Sequence, residues 1–182
     1  KIERKVRMVI TMEEGTVFTC NKNEHKKLYS NDSENIFYEG YCFLKTAEKI
    51  RHMQFEYQGE MGNLIAPYIV NLSFAAELFL KSLLVSTRVQ FKPTHDLYKL
   101  YSLINDDEIK DNIKSACYRL KDIDKSDIEF EKSLNDIREV FEYWRYVYER
   151  MHIATAVSFI KDFAYAVMIE AEKHKIENER KG

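Results

Sequence analysis

The chain has 182 residues, of which 45% are hydrophobic, a balance that excludes a disordered protein and fits one globular domain. Its formal net charge of −2 excludes the bulk positive charge of a nonspecific nucleic-acid binder. With only 5 Gly and 2 Pro, it has too few turn residues for a β-sandwich or barrel, so the composition indicates long helices.

Residues 1–35 differ in pattern from the rest of the chain. Val6, Met8 and Ile10 alternate with other residues, which predicts a short extended arm or a β-hairpin. A polar, Asn-rich stretch then predicts a loop, and Ser33 at its end is a candidate N-cap for the first helix.

Residues 36–176 are predicted to form an all-α domain, a four- to five-helix antiparallel bundle, and residues 177–182 a tail. The pattern predicts helices over Ile36–Tyr57, Leu64–Val89, a short segment capped by Thr94, Asp106–Leu120 and Ser133–Lys175. The last of these would be about 65 Å long as one helix, against a domain about 40 Å across. We therefore expect it to fold back on itself near residues 149–153.

Two further features of the sequence bear on where in the cell the protein is expected. No uninterrupted apolar stretch of 18 residues and no secretory signal occur, so we expect no membrane span. Cys20, Cys42 and Cys117 are odd in number and far apart, which indicates free thiols in a reducing cytoplasm.

The first candidate site is the pair Arg145 and His152, which are seven residues apart beside an aromatic stripe. Arginine can hold a phosphate through its fork of donors, and histidine can transfer a proton near neutral pH. An equally simple interpretation is structural, because Glu142 and Glu149 are within ion-pairing reach of Arg145 on a helix.

Glu77 and Lys81 form the second candidate, on the apolar helix predicted over Leu64–Val89. Their i, i+4 spacing suits an ion pair that would lock the bundle. Glu77 could instead reach across to Arg145 and fix its orientation.

His95 and Asp96 form the third candidate, where the simplest interpretation is helix capping plus a hydrogen bond to a neighbouring loop. The histidines are scattered and no Gly-rich phosphate loop occurs, so the sequence predicts no metal site and no cofactor.

Three segments together resemble the HEPN superfamily, all-α domains of prokaryotes and higher eukaryotes that are named for nucleotide binding. These segments are Glu77–Leu84, Thr94–Leu100 and Phe141–Glu149. The resemblance implies a helical bundle that is commonly a homodimer. It also implies a signature of Arg, four to six residues, then His, which Arg145 and His152 match at the upper limit.

Many proteins of this superfamily are metal-independent ribonucleases of toxin–antitoxin, phage-defence or CRISPR-associated systems. The resemblance therefore implies RNA cleavage by Arg145 and His152, with Glu77 orienting the arginine and Tyr148 or Trp144 stacking a base. Lys81 and His95 are further candidates for contact with RNA or a nucleotide.

The Arg-Tyr pair formed with Tyr146 occurs instead in branches that lack the histidine. One alternative is therefore a non-catalytic module that binds a partner protein, such as a nucleotidyltransferase-type antitoxin. In such a module Arg145 would have a structural role in an ion pair. A nucleotide pocket lined by Arg145, Tyr146 and His95 is a third possibility.

Overall fold

The computed structural model describes residues 33–56, 64–119, 127–146 and 157–181. The chain divides into a unit of residues 1–30 and a unit of residues 31–182, and every described residue belongs to the second. The arm or hairpin predicted before residue 33 lies outside the described residues.

The described residues form seven helices and no strand, which confirms the all-α class. The helices are α1 Ser33–Glu56, α2 Ile65–Ser86, α3 Leu97–Ser102, α4 Asp107–Arg119, α5 Asp127–Asp136, α6 Val140–Arg145 and α7 Val157–Lys181. Ser33 is itself the first residue of α1, so it does not precede the helix as the predicted N-cap. Because α7 continues to Lys181, most of the predicted tail is helical.

Helices α1 and α2 pack side by side in opposite directions. Near the end of α2, the Ser82 hydroxyl donates to the Ser33 carbonyl at the start of α1, at 2.7 Å. Further along, the rings of Phe43 and Phe74 meet edge to face with centroids 4.6 Å apart. The contacts therefore run in opposite order along the two helices.

Helix α7 also lies antiparallel to α1. Lys175 near its end is 3.6 Å from Glu34 at the start of α1. Tyr165, ten residues earlier in α7, donates a hydrogen bond to Glu48 in the second half of α1. Consequently α2 and α7 run in the same direction, and they also pack against each other.

Helix α2 is the core helix of this unit, as its nearly all-round apolar character predicted. It contacts α1, α3, α6 and α7. By length and composition alone, α2 could also span a membrane, because an 18-residue window within it has a mean hydropathy of 1.5. Polar residues interrupt this window, so it contains no continuous apolar run. Since 61% of that window is buried inside the bundle, α2 occupies the position of a core helix.

The stretch Ser133–Lys175, predicted to be helical on either side of one elbow near residues 149–153, has an earlier break that was not predicted. Helix α5 ends at Asp136, a turn follows, and the short α6 begins at Val140. In that turn the Arg138 carbonyl accepts a hydrogen bond from the Leu97 backbone N–H at 2.8 Å, so it contacts α3. The predicted elbow at 149–153 lies outside the described residues.

Candidate functional site

A fully buried carboxylate, that of Glu77 on α2, lies at the base of the site. Its Oε1 accepts a hydrogen bond from Lys81 Nζ at 2.6 Å, and its Oε2 lies 2.9 Å from His95 Nδ1. The ion pair predicted from the i, i+4 spacing is therefore present. Because an ionised carboxylate only accepts, His95 donates through Nδ1–H and keeps Nε2 for another partner.

His95 is held in place by the residue that follows it. The Asp96 carboxylate accepts from the Lys99 backbone N–H at 2.9 Å and so caps α3. The same carboxylate binds Arg138, 2.5 Å from Nη2 and 3.2 Å from Nε. The hydrogen bond and the charge of Asp96 raise the pKa of the Arg138 guanidinium. Both Arg138 donors bind Oδ2, while Oδ1 accepts from Lys99, so Asp96 links the start of α3 to the α5–α6 turn.

The predicted cap by Thr94 is therefore wrong. Its hydroxyl instead accepts from the Asp96 backbone N–H at 3.1 Å, because Thr94 lies two residues before the N-cap position. Asp96 replaces it because a carboxylate at this position both meets the free N–H groups of the first turn and pairs with Arg138.

Aromatic rings connect His95 to Arg145. The His95 ring lies 5.1 Å from the Phe141 ring on α6, and Phe141 stacks on Phe74 of α2 at 5.0 Å. The Arg145 guanidinium lies 5.1 Å from the Phe141 centroid and 4.7 Å from the Tyr146 centroid. Two rings thus orient a guanidinium that is itself exposed.

The structure brings together most of the residues predicted for the site. Glu77, Lys81, His95, Arg145 and Tyr146 follow one another along a path through Phe141. Trp144 is different, since it is partly buried against the hydrophobic core. His152 and Tyr148 lie outside the described residues, so the predicted approach of His152 to Arg145 stays a prediction.

The predicted direct contact between Glu77 and Arg145 is absent from the described residues. The partners of Glu77 are Lys81 and His95, and His95 and Phe141 stand between the carboxylate and the guanidinium. The contacts that connect Glu77 with Arg145 therefore run through these two rings.

Sequence reasoning did not identify Arg138 as part of this region. Its partner Asp96 is 42 residues away along the chain, so the spacing of neighbouring residues does not predict this pair. Phe141 was recognised only as part of an apolar stripe. Its aromatic neighbours Phe74 and His95 come from other elements, and only the packing of α2, α3 and α6 joins them.

A metal centre finds no support in the described residues, where no group of three or more His, Cys, Asp or Glu is placed to hold an ion. What the arrangement offers is a positively charged, exposed guanidinium beside a half-exposed imidazole. These groups suit contact with a phosphate and proton transfer.

Comparison with protein families agrees with this helical architecture. The family model for the HEPN domain matches residues 63–167, which is more than half of the chain. The chain therefore belongs to the HEPN family, and its helical unit is a nucleotide- or RNA-related module of the HEPN type. Comparisons with curated proteins and with solved structures gave no significant match.

Proposed function

We propose that this HEPN protein is a metal-independent endoribonuclease in which Arg145 and His152 act on an RNA phosphodiester. The observation that carries the proposal is the state of Arg145. Its guanidinium is exposed, is oriented by the rings of Phe141 and Tyr146, and has no carboxylate partner among the described residues. A structural arginine would instead be expected to pair with an acid.

The competing interpretation required Arg145 to be the counter-ion of Glu77 or a neighbouring glutamate. Glu77 already has Lys81 and His95 as partners, and Glu142 forms no ion pair with Arg145 in the described part of the chain. Glu149, the other glutamate of that interpretation, lies outside the described residues. Within the described residues no acid pairs with the guanidinium, and this supports substrate binding over a structural role.

The chemistry divides between the two residues. Arg145 would stabilise the charge that develops on the phosphorane oxygens, through its fork of donors. His152 would transfer a proton as general base or acid. Tyr146, which is 41% exposed, is better placed than the partly buried Trp144 to stack on a base.

The wider setting is proposed on the family likeness alone. We expect a cytoplasmic homodimer of a toxin–antitoxin or defence system, in which two Arg145/His152 pairs meet across a two-fold axis. A partner protein such as a nucleotidyltransferase-type antitoxin fits the same setting.

The test is cleavage of a mixed RNA pool in the presence of EDTA. Wild type is compared with Arg145→Ala, Arg145→Lys and His152→Ala, and Arg51→Ala controls for the loss of one exposed arginine on α1. We expect loss of at least a hundredfold in the Arg145→Ala and His152→Ala variants, because each removes a group used in the transition state. Arg51→Ala should cleave like wild type.

Thermal unfolding of the same proteins separates catalysis from structure. The ribonuclease proposal requires Arg145→Ala to unfold at nearly the wild-type temperature. Absence of cleavage by the folded wild type would overturn the proposal and favour a non-catalytic module that binds RNA, a nucleotide or a partner protein.

A further inference from the structure

We infer that a second surface, the groove between the α2–α3 loop and α3, binds the single-stranded RNA that flanks the scissile phosphodiester. This inference rests on the proposed function. The groove has a volume of about 760 Å³, and its lining includes Phe91, Lys92, Thr94, Tyr98, Lys99 and Arg138. We call it the α3 groove.

The α3 groove carries positive charge that the protein itself does not neutralise. Lys92 and Lys99 are exposed, and neither side chain forms a hydrogen bond or an ion pair within the described residues. Arg138 is 38% exposed and shares its charge with the buried Asp96 carboxylate. The Glu131 carboxylate, which is not part of the groove lining, accepts a hydrogen bond from the Tyr98 hydroxyl and so raises the pKa of the tyrosine. Two lysines therefore remain for an external anion.

Aromatic side chains lie among these cations. Phe91 and Tyr98 are partly exposed, and the Arg138 guanidinium lies 5.8 Å from the Tyr98 centroid. A groove in which cations follow a sugar–phosphate backbone and rings stack on bases is the usual arrangement for single-stranded nucleic acid. It suits RNA better than an acidic peptide, which has no bases to stack.

The position of the groove relative to Arg145 points to one continuous strand. Thr94 lines the groove, and the next residue, His95, contacts Phe141, over which Arg145 lies. Helix α6 lies between Arg138 in the groove and Arg145, and its six residues span about 9 Å. At roughly 3.4 Å per stacked nucleotide, two or three nucleotides bridge this distance.

The experiment measures RNA binding separately from cleavage. A fluorescein-labelled 12-nucleotide RNA of mixed sequence is titrated with His152→Ala protein, so that the RNA stays intact, and its anisotropy gives Kd. Into this background we introduce Lys92→Ala/Lys99→Ala, or Lys49→Ala/Arg51→Ala as the matched loss of two exposed cations on α1. A third variant, Phe91→Leu, removes the ring but keeps an apolar side chain where Phe91 meets the core.

The groove variant is expected to bind at least tenfold more weakly at low salt, and the control pair to bind like the parent. The slope of log K against log salt should fall by about 1.4, since each lost phosphate contact removes roughly 0.7. Phe91→Leu should weaken binding at least fivefold with the slope unchanged, because it removes stacking without removing charge. A 4-nucleotide RNA and AMP should compete poorly, which separates strand binding from binding of a free nucleotide.

The outcomes also separate the inference from the proposed function. If wild type cleaves RNA and the groove variant binds it as tightly as the parent does, the inference is overturned and the ribonuclease stands. If wild type does not cleave but binding depends on Lys92 and Lys99, the ribonuclease fails and the groove stands as an RNA-binding site. Tight competition by AMP would overturn the strand model.

Discussion

Glu77 determines the local order of the site because its charge is fully buried in the most apolar helix of the bundle. A buried carboxylate is tolerated only when partners compensate its lost hydration. Lys81 supplies the opposite charge from the same helix, and His95 supplies a donor from the loop before α3. His95 also contacts Phe141, so the hydrogen bond that compensates the buried charge of Glu77 holds the His95 ring against Phe141.

Replacing Lys81 by Met should therefore lower the free energy of unfolding by about 3 kcal/mol, because Glu77 would remain buried with His95 as its only partner. Urea unfolding followed by circular dichroism at pH 7 measures the effect. Lys45→Met is the matched control, since Lys45 pairs with Glu48 at the surface, where the loss of an ion pair should change the stability far less. Equal losses in the two variants would contradict the assigned role of Glu77.

Arg88 gives a second prediction at the residue scale. It follows the end of α2 with φ of 60°, a left-handed conformation that costs non-glycine residues about 1–2 kcal/mol. The hydrogen bonds from Arg88 N–H to the Val85 carbonyl and from Val89 N–H to the Leu84 carbonyl form the helix-ending pattern that favours glycine. This pattern explains why α2 ends at Ser86, before the predicted Val89.

Arg88→Gly should raise the free energy of unfolding by about 0.5–1 kcal/mol, and the melting temperature by about 1–4 °C, because relief of strain exceeds the added entropy of the unfolded chain. Arg88→Val should lower both. Differential scanning calorimetry of the three proteins checks this. A less stable glycine variant would mean that the Arg88 side chain itself contributes to stability.

At the scale of elements, the crossing of α1 and α7 includes a polar contact. Burial and a hydrogen bond to Glu48 raise the pKa of Tyr165, so its hydroxyl remains a donor at neutral pH. Burial also raises the pKa of the Glu48 carboxyl, but the hydrogen bonds from Lys45 and Tyr165 outweigh it. The net pKa therefore lies below the ordinary value of 4.5.

A carboxyl whose pKa is lowered on folding stabilises the protein above its unfolded pKa, and this contribution is lost as pH falls through the folded pKa. We therefore expect Glu48→Gln to flatten the loss of stability between about pH 5 and pH 3. Urea midpoints at pH 7, 5, 4 and 3 give the slope. Tyr165→Phe should flatten it partly, and an unchanged slope in Glu48→Gln would show that this contact does not lower the pKa.

The α1–α2 packing depends on the absence of a side chain at Gly40. A Cβ there would lie 3.0 Å from two ring atoms of Phe79 and 3.2 Å from Leu78 Cβ. Phe79 is fully buried, so its ring has little room to move.

We expect Gly40→Ala to destabilise the protein by about 1–3 kcal/mol, although alanine is normally the better helix former by about 1 kcal/mol. Chemical denaturation of Gly40→Ala and of Gly40→Ala/Phe79→Leu tests the cause. The second substitution should make the first less costly, and an additive result would place the strain elsewhere.

Sequence patterns predicted those features of the fold and the site that depend on residues close together in the chain. The apolar circumference of α2 placed it at the centre, and the spacing of Glu77 and Lys81 predicted their ion pair. The break after Asp136 could not be predicted, because it follows from contacts of Arg138 with Asp96 and Leu97, some 42 residues earlier. The direct contact predicted between Glu77 and Arg145 is wrong for the same reason, because tertiary packing places His95 against Glu77.

For the whole molecule, charge distribution matters more than net charge. The overall charge of −2 gives no general attraction to RNA. Lys92, Lys99 and Arg138 nevertheless place three cationic side chains in one groove. RNA binding should therefore be confined to that region.

The last prediction concerns the proposed two-fold arrangement. If one centre uses Arg145 and His152 from both protomers, a single inactive protomer disables it. After exchange with a fourfold excess of Arg145→Ala, only about one fifth of wild-type chains would have a wild-type partner by random pairing, so the cleavage rate per wild-type chain should fall to about one fifth. The same mixture assayed before exchange is the control, and light scattering verifies the dimer. A rate that stays constant after exchange would show that each protomer carries a complete centre, because an inactive partner would then remove nothing the active chain needs.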